Sequence, residues 1–266
     1  MKDSLTDDIF VGDFNFHEVT NLSQVCEHGL LQAGFTLKPW VFSGINDEEL
    51  VVGKSESQSC LGLRWSSKPD TWEVPVNINL APKRRGVRDK QFAVDSLETA
   101  KQLFMAHGLT KRVCLRICHS VFDPISLFIQ LKVNMNLLYR KLIHCCPKID
   151  WEDQVPKELY DEWLLAIKMA IDCKDIAVPR FCMKDCTSLE AQLGIFCDGS
   201  GSASCSRLFL RYKAKSGTTD CNYITGSTKL AAVGGQTASK TECDSALMGL
   251  RDCDRIHQLF TDITIT

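Results

Sequence analysis

The chain reads as an α+β protein, and three observations predict it. Residues 1–65 alternate short apolar runs with one helical stretch. Residues 110–175 read as all helix. Residues 176–266 follow the order β-β-β-α-β. With 266 residues, the length suggests about two domains at roughly 150 residues each. Hydrophobic residues make up 44% and charged residues 24%, the balance of an ordinary globular chain and not of a disordered tail, a collagen or a coiled coil. A formal net charge of −2 excludes a wholly basic nucleic-acid binder and leaves room for local basic patches. No apolar run approaches the ~20 residues of a membrane helix, so no membrane partner is expected.

Taken in order, Ile9-Phe10-Val11 is a short apolar run ended by Gly12. A helix follows from about Phe16 to Ala33, with Val19, Leu22, Ser23, Cys26, Leu30 and Ala33 at spacings of three and four, and Gly34 as its stop. Glu49–Lys54 and Ser59–Trp65 are strand candidates, and Thr71–Leu80 alternates (Trp72, Val74, Val76, Ile78, Leu80) like a third. A basic run from Lys83 to Lys90 reads as a loop, and 95–107 as a helix. Within the helical region, Phe122-Asp123-Pro124 ends one helix and starts the next, since proline is tolerated in a first turn. Trp151–Pro156 is a loop, and Lys157–Cys173 is amphipathic.

The last stretch opens with Leu193–Cys197, a strand ending at Asp198-Gly199-Ser200-Gly201. Arg207–Lys213 puts Leu208, Leu210 and Tyr212 on one face, and Asn222–Lys229 is a weaker strand. Glu242–Leu259 is a helix with Cys243, Ala246, Leu247, Leu250, Cys253 and His257 in one stripe. Phe260–Ile265 begins a fourth strand.

Fourteen cysteines and an acidic, polar start without a signal peptide predict reduced thiols in a cytoplasmic or nuclear protein, not a secreted one. The nearest approach to a zinc pattern is Cys182-x3-Cys186 with Cys197 and Cys205 beyond; its spacing is irregular and no histidine joins it. The sequence carries no Gly-x-Ser-x-Gly elbow, P-loop or His-Glu-x-x-His motif.

Three constellations could carry chemistry. Asp7 and Asp8, before Ile9-Phe10-Val11, suit a tight hairpin with two carboxylates near its tip, where a divalent cation relieves their repulsion. An acidic, frayed terminus is the plainer account. Asp198 at a strand end, Glu242 in the first turn of a helix and Asp262 at the start of a strand converge if the first and fourth strands lie side by side. Three such acids suit a pair of Mg²⁺ ions; the plainer account is three surface acids. Positive charge gathers at Arg64 beside Trp65, at Lys83, Arg84, Arg85 and Arg88, and at Lys111, Arg112 and Arg116. There it could meet phosphates while Trp65 stacks on a base or sugar. A solvated surface and a core tryptophan are the alternative.

The order of motifs carries a resemblance. It runs through Asp7-Asp-Ile-Phe-Val-Gly12, Ala33-Gly-Phe-Thr-Leu-Lys-Pro-Trp40, Leu61-Gly-Leu-Arg-Trp65, Thr110-Lys-Arg112 and Ser120-Val-Phe-Asp-Pro124. It continues with Ile149-Asp-Trp-Glu-Asp153, Val178-Pro-Arg180, Phe196-Cys-Asp-Gly-Ser200 and Thr261-Asp262. The set resembles the Pol polyprotein of Bel/Pao-type LTR retrotransposons, from the end of the reverse transcriptase palm into ribonuclease H. Part of that region is filed as the Pao retrotransposon peptidase family.

The resemblance implies a partial palm and primer-grip region at 1–109, a helical thumb or connection at 110–175 and part of a ribonuclease H-like domain at 176–266. It implies that Asp7 and Asp8 correspond to the paired polymerase aspartates, with Leu5 where tyrosine is expected, and that Leu61–Trp65 corresponds to the primer-gripping hairpin. Pro39, with Lys38 beside it, falls where the family has a lysine. Asp198, Glu242 and Asp262 correspond to the first three ribonuclease H carboxylates, although Ser239-Lys-Thr241 precedes Glu242 and Ile263 follows Asp262 in place of the family's residues.

The implied chemistry is two-metal phosphoryl transfer on an RNA–DNA hybrid or a primed template, with Mg²⁺ as cofactor and the remaining Pol segments as partners. The polymerase needs a further aspartate well upstream and ribonuclease H further helices, so the isolated chain is expected to be inactive. The alternatives are a non-catalytic nucleic-acid or protein interaction module and an aspartic-type peptidase, the latter by family name only, because no Asp-Thr-Gly or Asp-Ser-Gly turn is present.

Overall fold

The computed structural model describes residues 4–5, 8–13, 15–43, 57–81, 90–183, 186–260 and 263–265. The chain divides into two units, Met1–Thr71 and Trp72–Thr266.

In the first unit, β1 (Ser4–Leu5) and β2 (Asp8–Ile9) pair antiparallel, Leu5 opposite Asp8. Helix α1 (Phe16–Gln32) opens on Asn15, whose side chain accepts the His17 N–H, and ends before Gly34 at φ +83°. Its expected apolar stripe is only partly buried. Ser23 is the buried position, its hydroxyl donating to the Thr20 carbonyl, while Leu22 and Ala33 are exposed. The strand expected over Ser59–Trp65 is instead a hairpin of β3 (Ser57–Cys60) and β4 (Leu63–Ser66). Leu61 and Gly62 both have positive φ and form the two-residue turn whose twist suits a hairpin. The strand candidate at 49–54 lies outside the described residues.

The alternating segment after it buries Val74, Val76, Ile78 and Leu80, as its pattern predicts. It is not one strand, however. Pro75 has no N–H to give a ladder, and the segment breaks into β5 (Thr71–Glu73), a single bridge from Val76 to Val121, and β6 (Ile78–Asn79) paired with β7 (Ala93–Val94).

Four helices follow: α2 (Leu97–His107), α3 (Lys111–His119), α4 (Ile129–Cys145) and α5 (Tyr160–Asp172). Ser96 and Thr110 cap α2 and α3 through the Thr99 and Val113 N–H groups. Ile117, Met135, Leu142, Trp163 and Ile167 are fully buried among these helices. Pro124 does not begin α4. The Asp123 carboxylate accepts the Leu127 and Phe128 N–H groups, at 2.9 and 2.7 Å, and Ser126 takes φ 57°, so the chain turns through Pro124–Phe128 before the helix starts at Ile129.

After β8 (Ala177–Pro179), three long antiparallel strands form a meander: β9 (Cys186–Gly199), β10 (Ala203–Ala214) and β11 (Thr219–Leu230). Helix α6 (Ala238–Leu259) then leads to β12 (Thr264–Ile265), which lies parallel to β9 with Thr264 opposite Glu190. The strand order is β11-β10-β9-β12.

One sheet face carries α6 and a cluster of Met183, Ala191, Leu210, Tyr212 and Ile263. The other carries an edge-to-face row of Phe196, Phe209 and Tyr223, with neighbouring ring centroids 5.5 Å apart. The loop before α4 docks on this second face. Tyr223 Oη donates to the Ile125 and Ser126 carbonyls, and Arg207 donates to the Leu127 carbonyl and to Gln130. The changes of character at 109/110 and 175/176 are thus changes of element within one compact unit.

Helix α6 overturns one expectation. The stripe of Cys243, Ala246, Leu247, Leu250 and His257 faces outward, with Leu250 60% exposed. The buried positions are Thr241, Ser245, Gly249, Asp252 and Ile256. Small residues let the helix approach the strands closely: Ser204 Oγ donates to the Thr241 carbonyl at 2.9 Å, and a Cβ on Gly249 would meet Cys197 and Ile195 side chains at 2.7 Å.

Candidate nucleic-acid site

Hairpin β1–β2 brings Asp8 into register opposite Leu5. Asp7 and the Asp8 side chain lie outside the described residues, as do Lys83, Arg84, Arg85, Arg88 and Asp262.

Arg64 and Trp65 sit on β4. Trp65 is half-buried and its indole N–H donates to Asp70 at 3.0 Å, so the polar edge of the ring is already engaged. Lys111 and Arg112 open α3, where the loop of residues 149–155 folds over them. The Lys111 and Arg112 N–H groups donate to the Asp153 and Trp151 carbonyls, Lys111 Nζ donates to the Ile149 carbonyl, and Arg112 pairs with Glu152 at 2.5 Å. Both cations stand over the Trp151 ring, at 5.0 and 5.5 Å from its centroid. The signal that Trp151 and Glu152 carry in the sequence is their place in the Ile149–Asp153 motif.

For the acidic set, the structure lays β12 beside β9 with α6 between them in the chain. The end of β9 meets the start of α6 through Gly199: a Cβ there would come within 2.3–2.5 Å of the Thr241 and Glu242 backbone, so only glycine allows the contact. Ile195, Cys197 and Gly199 face α6, and strand alternation places Asp198 on the opposite face, with Phe196. Glu242 is exposed on the helix. The two described carboxylates thus adjoin one close contact, between the end of β9 and the start of α6. Among the described residues, no group of three histidines, cysteines, aspartates or glutamates gathers to hold a metal ion. Their oxygens are the right chemistry for magnesium, but these two alone do not form a ligand set. Asp252 is a further acid beside the sheet. It is 6% exposed, accepts from Ser206 and pairs with Arg255, and its burial was hidden by the misleading apolar stripe of α6.

Three antiparallel strands, then a helix, then a strand parallel to the first, define a ribonuclease H-like unit. The family described as the Pao retrotransposon-like RNaseH-like domain matches residues 110–265. The chain belongs to that family, and the resemblance to a Bel/Pao-type Pol segment holds over this stretch. The match runs through both the helices and the sheet. Comparison with curated proteins found no match. Among the described residues, no helix is long and apolar enough to cross a membrane.

Proposed function

We propose that this Pol segment is a nucleic-acid-binding, ribonuclease H-derived unit that holds an RNA–DNA hybrid without cleaving it. The observation that carries the reading is the alternation of β9, which turns Ile195, Cys197 and Gly199 toward α6 and Asp198 away from it, within a stretch that matches the family. In that lineage Asp198, Glu242 and Asp262 would hold Mg²⁺, which supplies charge stabilisation for phosphodiester hydrolysis. Residues 1–109 are read as part of a reverse transcriptase palm and primer-grip region, with Asp7 and Asp8 as its paired aspartates. The remaining Pol segments are read as partners.

The test is hydrolysis of a labelled RNA–DNA hybrid in Mg²⁺ or Mn²⁺ by wild type and Asp198→Asn. Equal background rates are expected. Cleavage by wild type that Asp198→Asn abolishes would overturn the proposal. Hybrid binding measured at two salt concentrations should weaken steeply as salt rises, because phosphate contacts release counterions.

A further inference from the structure

A cavity of about 350 Å³ opens between α2, α3 and the segment ending at Leu80. Its volume lies within the ~300–1,000 Å³ of small-molecule sites and far exceeds what a lone anion needs. Leu80, Leu103 and Val113 supply apolar wall, and Phe92 and His107 stand on it as a tilted ring pair 5.1 Å apart. Arg112, Arg116 and Thr110 supply the polar side, with Glu152 as the one carboxylate among the lining residues.

The two guanidiniums are held there at a cost. Arg116 is anchored by the Leu80 and Ala81 carbonyls, and burial, then the charge of Arg112, lower its proton affinity. Glu152 answers only Arg112 directly, through a pair whose side chains are 45% and 71% exposed and therefore readily exchanged. The first N–H groups of α3 are already taken, those of Lys111 and Arg112 by the Asp153 and Trp151 carbonyls and that of Val113 by the Thr110 hydroxyl, so any anion must be met by side chains.

We propose that this cavity binds one nucleotide unit, its phosphate between Arg112 and Arg116 in place of Glu152 and its ring against the Phe92–His107 wall. The unit is either a free nucleotide or one residue of a nucleic-acid strand. The site uses none of Asp7, Asp8, Asp198, Glu242 and Asp262. It is therefore tested in EDTA, where the outcome of the cleavage experiment has no bearing on it.

The full chain is titrated with AMP and with adenosine by calorimetry. AMP should bind at least tenfold more tightly than adenosine. Arg112→Ala should weaken AMP about tenfold, the loss of one charge-assisted hydrogen bond, and Glu152→Gln should tighten it several-fold. Both side chains are exposed, so melting temperatures should stay unchanged. Equal affinity for AMP and adenosine, no AMP binding at millimolar concentration, or both substitutions moving the affinity the same way or not at all would overturn the proposal. Displacement of a labelled ten-residue oligothymidylate by AMP assigns the cavity to a strand. AMP binding without displacement assigns it to a free nucleotide, and the phosphate-and-ring chemistry stands in either case.

Discussion

Leu61 occupies the left-handed region at φ 52° with half its surface exposed. A leucine gains nothing from that conformation, whereas asparagine adopts it readily, so Leu61→Asn should stabilise the first unit by about 1 kcal/mol in denaturant melts. The sequence offered Leu61-Gly62 as the middle of a strand because leucine masks a turn that Asn-Gly would have announced. The α3 thiols show a different residue-scale effect. Burial, with the neighbouring Cys118, raises the Cys114 pKa, and burial pushes Cys118 from 9.0 up to about 12. The folded chain therefore keeps these protons when the unfolded chain has lost them. Their contribution to stability is whole below about pH 9 and is lost progressively as the pH rises toward 12. Urea melts at pH 7, 9 and 10.5 should show the loss, and Cys118→Ala should reduce its slope.

At the scale of the element, α6 shows why hydrophobic periodicity misled. Periodicity finds large apolar side chains, but this helix docks through Thr241, Ser245 and Gly249, whose small size permits close approach, and leaves Leu247 and Leu250 outside. Leu250→Lys should change stability by less than about 0.5 kcal/mol. Gly199→Ala should cost roughly 1–3 kcal/mol, because its Cβ meets backbone that cannot step aside. Chemical denaturation of the two variants separates the faces. Where side chains do pack in layers, as with Leu208, Leu210 and Tyr212 on β10, alternation in the sequence named the buried face correctly.

For the whole molecule, residues 72–266 hold both the helices and the sheet, joined by Tyr223, Arg207 and the loop they grip. That piece expressed alone should melt in one cooperative transition followed by circular dichroism, and two separate transitions would refute the unity of helices and sheet. The order β-β-β-α-β and the helical middle were legible in the sequence, because each element carries its own cap, turn or period. The docking of one on the other was not, since it depends on Arg207 and Tyr223 reaching carbonyls far away in the chain, and no local pattern encodes such a reach. The candidate site was legible as residue types, in Asp198 and Glu242, whereas the close contact of Gly199 with the start of α6 was not, because it depends on how helix and strand pack.

Among the described residues, β9 also has a flank that is covered at two positions. β10 follows it nearly from end to end, whereas the described residues of β12 meet it at Glu190 and Ala191. Beyond that short seam, amides and carbonyls from Gln192 onward look toward no partner strand among the described residues. An edge of that kind accepts an extended segment, of this chain or of another, as a further strand.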